Sequence, residues 1–105
     1  MIVSTSINKK SKLKQAAESL KAVAHPARLA MIYLLKEGEK NVTEIHKTLG
    51  LEQAVASQHL SILKSKGVCE SRRKGKHAFY YLTDHALVAA IDVVVTELEQ
   101  EVVPQ

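Results

Sequence analysis

The chain has 105 residues, a net charge of +4 at pH 7 and a hydrophobic fraction of 46%, with one Phe, three Tyr and no Trp. This length suits one domain and is too short for two ordinary ones. With so few aromatic residues the core must be aliphatic, and four glycines and two prolines are too few for a loop-rich β-sandwich. The composition therefore favours a small, mainly helical domain.

The charges are segregated along the chain. Residues 64–77 carry six Lys or Arg against one acid, whereas residues 84–101 carry five acids and no Lys or Arg. A protein that binds a polyanion through one face would show this arrangement, and a solvated charged surface explains it equally well. Because no segment is typical of a signal peptide or a membrane span, and the single Cys69 excludes an intrachain disulfide, we expect a cytoplasmic protein without membrane contact.

Helical spacing of apolar residues begins after a polar start. We expect a flexible tail over residues 1–10 and a single domain over residues 11–103. The first helix is predicted over residues 11–24. Pro26 suits the first turn of a second helix, and Gly38 suits the left-handed position after its end.

Signals for two helices joined by a short turn follow. Asn41 and Glu44 form a capping-box pattern, which predicts a third helix that ends before Gly50. A fourth helix is predicted over residues 53–66, with Gly67 just beyond its last turn. Two short helices linked through a glycine are typical of a helix-turn-helix.

A hairpin and a last helix complete the pattern. Residues 68–73 and 77–82 are typical of strands, and the turn at residues 74–76 contains a glycine. Thr83 is expected to cap the last helix, with Asp84 in its first turn. The predicted fold is mainly α with a small β-hairpin wing, in the order α-α-α-α-β-β-α, which is a winged helix-turn-helix.

The last helix carries two apolar stripes, more than one small core can absorb. The stripe expected to be buried consists of Leu87, Ile91, Val94 and Leu98. The other stripe, which includes Val88 and Val95, is expected to pack against another chain. The candidate dimer interface, with a contribution from the first helix, consists of Leu13, Ala17, Leu20, Leu87, Val88, Ile91, Val94, Val95 and Leu98.

Several motifs follow one another in a specific order. They are His25-Pro26-Ala27-Arg28-Leu29, the helix and turn of residues 39–50, Gln53, Ser57-Gln58-His59-Leu60, Leu63, Gly67-Val68, and Arg72-Arg73-Lys74-Gly75 before Tyr80-Tyr81-Leu82. In this combination the chain resembles the ArsR family of small, metal- and stress-responsive bacterial repressors. The resemblance implies a homodimer that binds an inverted repeat in double-stranded DNA and blocks transcription until a signal releases it.

The fourth helix is the predicted recognition helix, because an α-helix fits the major groove and amide or hydroxyl side chains can read base edges there. The residues expected to contact bases are Gln53, Ser57, Gln58 and Ser61. The residues expected to bind the DNA backbone, from the wing and its surroundings, are Thr43, Lys64, Arg72, Arg73, Lys74 and Lys76. His59 is expected to be packed and hydrogen-bonded rather than to read a base.

The metal sites of the family are not expected in this chain. Asn41 and Thr43 stand where many relatives have a cysteine pair. The second site of the family, in the last helix, corresponds to Asp84, Ala86, Glu97 and Gln100. These are poor ligands for tetrahedral zinc. We therefore expect no metal and no cofactor, we expect Cys69 to be a packed strand residue, and the effector stays undetermined.

Two other classes of function agree less well with the sequence. An enzyme is not expected, because the chain has no Gly-rich phosphate loop, no HExxH and no GxSxG motif. Glu52 and Ala54 stand where the family often has serine; the carboxylate of Glu52 could still cap the helix but would lie near phosphates. These departures favour, weakly, a winged-helix protein–protein interaction module without specific DNA binding. Neither the operator nor the regulated genes can be read from the chain.

Overall fold

The computed structural model describes residues 2–100 and, within the first helix, the side chains from Lys9 onward. The elements in chain order are helices α1 (Ile2–Val23) and α2 (Pro26–Leu35), strand β1 (Lys40–Asn41), helices α3 (Val42–Leu49) and α4 (Gln53–Ser65), strands β2 (Cys69–Lys74) and β3 (His77–Leu82), and helix α5 (His85–Gln100). The predicted winged helix-turn-helix is confirmed. No helix within the described residues is long and apolar enough to cross a bilayer.

The strands form one antiparallel sheet in the order β1-β3-β2. The hairpin closes with Lys74 opposite His77. In its turn, Gly75 has a φ of 63°, a left-handed conformation that favours glycine. Strand β1 was not predicted; it is two residues long, with Lys40 opposite Tyr80. A strand this short has no alternation of apolar and polar residues by which a sequence could reveal it.

Helix α1 begins well before the predicted start. A flexible tail was expected over residues 1–10, but residues 2–10 continue the helix. This segment lacks an apolar period, yet it contains no Gly or Pro, and a helix needs no apolar stripe where it leaves the core. Residue 1, like residues 101–103 of the predicted domain, lies outside the described part of the chain.

The core lies where α2, α3, α4 and the sheet meet. Its fully buried large side chains are Met31, Ile32, Ile45, Leu60, Leu63, Val68 and Cys69. Five of these seven side chains are aliphatic, as the composition predicted, and Met31 and Cys69 contain sulfur. No polar side chain is buried among the residues that the structure describes. Helix α4 and the hairpin therefore pack against the same hydrophobic core.

Helix α5 is rotated relative to the sequence prediction. Val88 and Ile91 are each 8% exposed and belong to the core, whereas Val94 is 60% and Leu98 57% exposed. The prediction that Val94 and Leu98 are buried in the domain was therefore wrong. Periodicity shows that a helix has two stripes, but the direction from which the helix meets its neighbours decides which stripe is covered.

The start of α5 also differs from the prediction. The Thr83 hydroxyl donates to the Gly67 carbonyl at 2.9 Å and does not cap the helix. Instead, Asp84 Oδ1 accepts the Leu87 N–H at 3.1 Å. The cap is thus one residue later than predicted, and Thr83 ties the start of α5 to the end of α4.

Candidate nucleic-acid interface

Helices α3 and α4 form the helix-turn-helix, and α3 is capped at both ends. Asn41 Oδ1 accepts the Glu44 N–H at 2.8 Å, and Glu44 Oε1 accepts the Asn41 N–H at 2.9 Å. The predicted capping box is therefore confirmed. At the other end Gly50 has a φ of 68°, and the Leu51 N–H donates to the His46 carbonyl at 2.9 Å. These local bonds define where α3 stops and α4 can start.

Glu52 occupies the N-cap position of α4, but its side chain makes no capping hydrogen bond. A carboxylate at this position could cap the helix, but this one does not. The side chain is exposed at the end of the helix that is predicted to approach phosphates. This negative charge is the one feature of α4 that opposes binding to a polyanion.

The two sides of α4 differ sharply in burial. Ala56, Leu60 and Leu63 are fully buried in the core. The exposed side chains of the helix are Gln53, Ala54, Val55, Gln58, Ser61, Lys64 and Ser65. Ser57 is half-buried on the flank of this face. The exposed face is polar at its centre, around Gln58, which suits hydrogen bonding to base edges.

Val55 was missed by the sequence analysis. It is 37% exposed although it is apolar. Its angular position on α4, 100° from each chain neighbour, would have placed it beside the exposed face. An exposed aliphatic side chain on a recognition helix can contact a thymine methyl group.

His59 lies on the flank of α4 that faces α2. Arg28 Nε donates to His59 Nδ1 at 3.1 Å, and Arg28 Nη1 donates to the Ala22 carbonyl at 3.0 Å. The His25 ring, whose Nδ1 accepts the Ala27 N–H, lies 4.6 Å from the His59 ring between centroids. Burial lowers the pKa of His59, and the nearby His25 and Arg28 lower it further. The prediction of a packed, hydrogen-bonded His59 is confirmed.

Arg72 and Lys74 of the wing both bind the carboxylate of Glu39, which lies just before β1. Arg72 donates to Glu39 Oε1 through Nε at 3.1 Å and through Nη2 at 2.7 Å, and Lys74 pairs with Glu39 Oε2. The Arg72 guanidinium also lies 5.1 Å from the Tyr81 ring centroid, and the Lys74 ammonium 5.2 Å from that of Phe79. The hydrogen bonds from Lys74 and Arg72 lower the pKa of Glu39. Glu39 is not predictable as a partner of the wing from the sequence, because it precedes β2 by a long stretch of chain.

The other predicted backbone-binding residues lie elsewhere. Lys64 Nζ donates to Ser71 Oγ at 2.9 Å, which joins α4 to β2. Within residues 9–100, neither Arg73 nor Lys76 takes part in a side-chain hydrogen bond or an ion pair. Thr43 is half-buried in the first turn of α3. The predicted set is therefore spread over α3, α4 and both faces of the wing.

Cys69 is fully buried at the start of β2, as expected of a packed strand residue. Burial raises the pKa of its thiol to about 11. Across residues 9–100, no three His, Cys, Asp or Glu side chains lie together as a metal site. Asp84, one of the positions compared with the zinc ligands of the family, is used as the cap of α5.

Two helices carry exposed apolar side chains away from α4. On α1, Leu13 and Leu20 are exposed, as is the small Ala17 between them. On α5, the exposed large apolar residues are Val93, Val94 and Leu98. Two of the predicted dimer residues, Val88 and Ile91, are instead covered by the core of their own chain, and Leu87 and Val95 are half-buried against it.

Comparison with known proteins gives a consistent result. The profile described as "Bacterial regulatory protein, arsR family" matches residues 25–71. The biofilm growth-associated repressor of Xylella fastidiosa is 35% identical over 82 residues, which are 78% of this chain and 72% of the relative. The transcriptional repressor SmtB of Mycobacterium tuberculosis is 41% identical over 75 residues, which are 71% of this chain and 56% of the relative.

Solved structures agree with these matches. The homodimeric winged helix-turn-helix DNA-binding domain of a possible ArsR-family regulator from Mycobacterium bovis has a TM-score of 0.79 at 33% identity, covering 92% of this chain and 93% of that domain. The transcriptional repressor BigR from Xylella fastidiosa has a TM-score of 0.76 at 32% identity, covering 85% and 91%. These relatives are transcriptional regulators and not enzymes. With its winged helix-turn-helix and these matches, the chain belongs to the ArsR family of DNA-binding transcriptional regulators.

Proposed function

We propose that this protein is a homodimeric transcriptional repressor that works in the cytoplasm and binds an inverted repeat in double-stranded DNA. Helix α4 of each protomer would lie in the major groove of one half-site, with the two half-sites about one helical turn apart. The observation that carries the proposal is the exposed polar face of α4, opposite a face that is fully buried. Because the buried face of α4 is fixed in the core, its exposed face is presented in one orientation.

Gln58 is the central base-contacting residue of the proposal. Its side chain is exposed at the middle of the polar face, and an amide can bind adenine through two hydrogen bonds. Gln53 and Ser61 extend the same face toward the two ends of the helix. Ser57 is half-buried, so we propose that it contributes at the edge of the groove rather than at its floor.

The backbone contacts are proposed to come from α3, α4 and the wing. Lys64 at the end of α4 is exposed beside β2, and Thr43 offers a hydroxyl in the first turn of α3. Basic side chains of the hairpin would bind phosphates and hold the protein in register without reading sequence. The acidic helix α5 would be repelled by DNA and is proposed to lie on the far side.

The dimer is proposed to form through α1 and α5. Four large apolar side chains of these helices are each more than half exposed in the single chain: Leu13, Leu20, Val94 and Leu98. Exposing a group of such side chains to water is unfavourable, so we propose that a partner chain covers them. Ala17 on α1 would allow the helices to approach closely. The relative from Mycobacterium bovis is homodimeric, which supports a homodimer here.

Binding to a labelled duplex from the upstream region of the protein's own gene tests the DNA-binding part. We expect the logarithm of the binding constant to fall with the logarithm of salt concentration with a slope of about −5 to −7 for a dimer. Gln58→Ala should cost about 1–3 kcal/mol for each half-site. The matched control is Gln15→Ala on α1, which removes an exposed amide away from α4. Added Zn²⁺ or a chelator should change nothing.

Other outcomes would favour other functions. Specific binding that zinc abolishes would show that a metal site forms across the two chains. If binding is weak and independent of salt, the winged helix would be a protein–protein interaction module, a possibility that the exposed Glu52 carboxylate supports.

The dimer is tested by analytical ultracentrifugation, in which Leu98→Glu should give monomers and Thr96→Glu, an exposed neighbour on α5, should not.

A further inference from the structure

We infer that the wing meets DNA with one of its two faces and with its turn: Arg73 and Lys76 bind phosphates, whereas Arg72 and Lys74 are positioning residues that hold the wing to Glu39. This inference rests on the proposed function, since it specifies which basic residues of the wing form the backbone contacts. It concerns the hairpin alone and is independent of the base sequence of the operator.

The two faces of the hairpin follow from its register. Neighbouring residues of a strand point to opposite faces, so Arg72 and Lys74 share one face and Arg73 lies on the other. The face of Arg73 also contains Ser71, which accepts the hydrogen bond from Lys64 of α4. We call this side, toward α4, the inner face of the wing. The outer face is the side on which Arg72 and Lys74 contact Glu39.

Glu39 holds both outer cations firmly. Each of its carboxylate oxygens has a partner, Arg72 on Oε1 and Lys74 on Oε2, and its side chain is only 22% exposed. If the two cations turned to phosphates, a half-buried carboxylate would lose all of these hydrogen bonds, which is unfavourable. Contacts of Arg72 with Tyr81 and of Lys74 with Phe79 oppose the same movement. We conclude that DNA does not extract these side chains.

The charge balance of the two faces supports the same assignment. On the outer face Glu39 and Glu70 offset Arg72 and Lys74, so this side of the wing is electrically neutral. The inner side carries Lys64 and Arg73 and no acid, and Lys76 lies in the turn, beyond the two strands. All three are exposed. A neutral surface is only weakly attracted to a polyanion, whereas the positively charged inner face is attracted strongly.

The number of phosphate contacts determines how steeply salt weakens DNA binding. If the inner face and the turn supply about three phosphate contacts in each protomer, the dimer makes about six, and the slope of log K against log salt should be about −5. Each inner cation removed from both protomers should make the slope less steep by about 2. Removal of an outer cation together with one acid of the same face should leave the slope unchanged, because Lys74 stays paired with Glu39.

The experiment compares two variants on adjacent positions of the same strand. Arg73→Gln removes one inner cation, and the double variant Glu70→Gln with Arg72→Gln removes one outer cation and one outer acid, so the net charge stays constant and Lys74 stays paired with Glu39. Binding of each full chain to a labelled duplex of mixed sequence is measured over a salt series, because phosphate contacts do not depend on base sequence. Circular dichroism and sedimentation confirm that each variant is folded and has the wild-type assembly.

We expect Arg73→Gln to make the slope less steep by about 2 and the double variant to match the wild type. Lys76→Gln should behave like Arg73→Gln. The inference is overturned if the double variant loses as much slope as Arg73→Gln, or if Arg73→Gln leaves the slope unchanged. If the wild type itself shows no salt-dependent binding, the proposed function fails, and the inference fails with it.

Discussion

The Tyr33 hydroxyl of α2 donates a hydrogen bond of 2.6 Å to Asp92 Oδ1 of α5. Lys36 Nζ lies 3.1 Å from the same carboxylate oxygen and 4.6 Å from the centroid of the Tyr33 ring. Asp92 is the acid that interrupts the long apolar segment of α5. Its bonds join α5 to α2 in the orientation in which Val88 and Ile91 lie in the core and Val94 and Leu98 are exposed.

This bond predicts an unusual tyrosine. The hydrogen bond to Asp92, followed by burial, raises the pKa of Tyr33 from 10.0 to about 12. Its contribution to stability is therefore fully present below about pH 10 and is lost as the pH rises toward 12. In a titration followed by tyrosinate absorbance, one of the three tyrosines should ionise last, and Tyr33→Phe should remove that step. A late step that persists in Tyr33→Phe would contradict the assignment.

A second prediction concerns the stability of the protein in mild acid. The pKa of His59 is lowered in the folded chain, chiefly by burial, so below about pH 6.5 the unfolded chain takes up a proton that the folded chain does not. The free energy of unfolding should therefore fall as the pH drops below about 6.5, until the folded pKa is passed. Urea unfolding over a pH series measures this slope.

The matched variants for this series are His59→Gln and His85→Gln. Glutamine at position 59 keeps an acceptor for Arg28 but has no proton to gain, so this variant should show a flatter pH dependence than the wild type. His85 is exposed at the start of α5, and its replacement should leave the slope as it is. Equal slopes for all three proteins would show that His59 does not cause the acid sensitivity.

Cys69 should be an inert thiol. It is fully buried and its pKa is about 11, so almost no thiolate is present near neutral pH. A thiol reagent should label the native protein slowly and the urea-unfolded protein rapidly. Ser61→Cys, on the exposed face of α4, serves as the positive control and should add one rapidly labelled thiol. Rapid labelling of Cys69 in the native wild type would instead indicate a redox-accessible site.

The capping box of α3 should contribute measurably to stability. Asn41→Ala removes the acceptor for the Glu44 N–H and should lower the free energy of unfolding by about 1 kcal/mol. Asn41→Asp should retain most of this stability, because a carboxylate accepts the same hydrogen bond. Thr48→Ala, at an exposed position of α3, should change stability by less than about 0.5 kcal/mol. An Asn41→Ala variant as stable as Thr48→Ala would refute the role of the cap.

Local signals accounted for the order of the elements and for most of their boundaries. The α3 cap at Asn41, the left-handed Gly50 and the hairpin glycine Gly75 each depend on a few adjacent residues, so the sequence was sufficient to predict them. The exposed face of α4 followed in the same way from its apolar period, with Gln58 near its centre. These features were determined by the sequence because their energetics are local.

Only the tertiary structure decided how the elements face one another. The Arg72–Glu39 bond joins residues that are 33 positions apart in the chain, and Tyr33 and Asp92 are 59 positions apart. No local sequence pattern predicts a contact between residues so far apart in the chain. Sequence showed six basic residues around the wing and two stripes on α5, but not which cations are already paired or which stripe is covered. Pairing and burial depend on the direction of approach of distant elements, which packing of the whole chain determines.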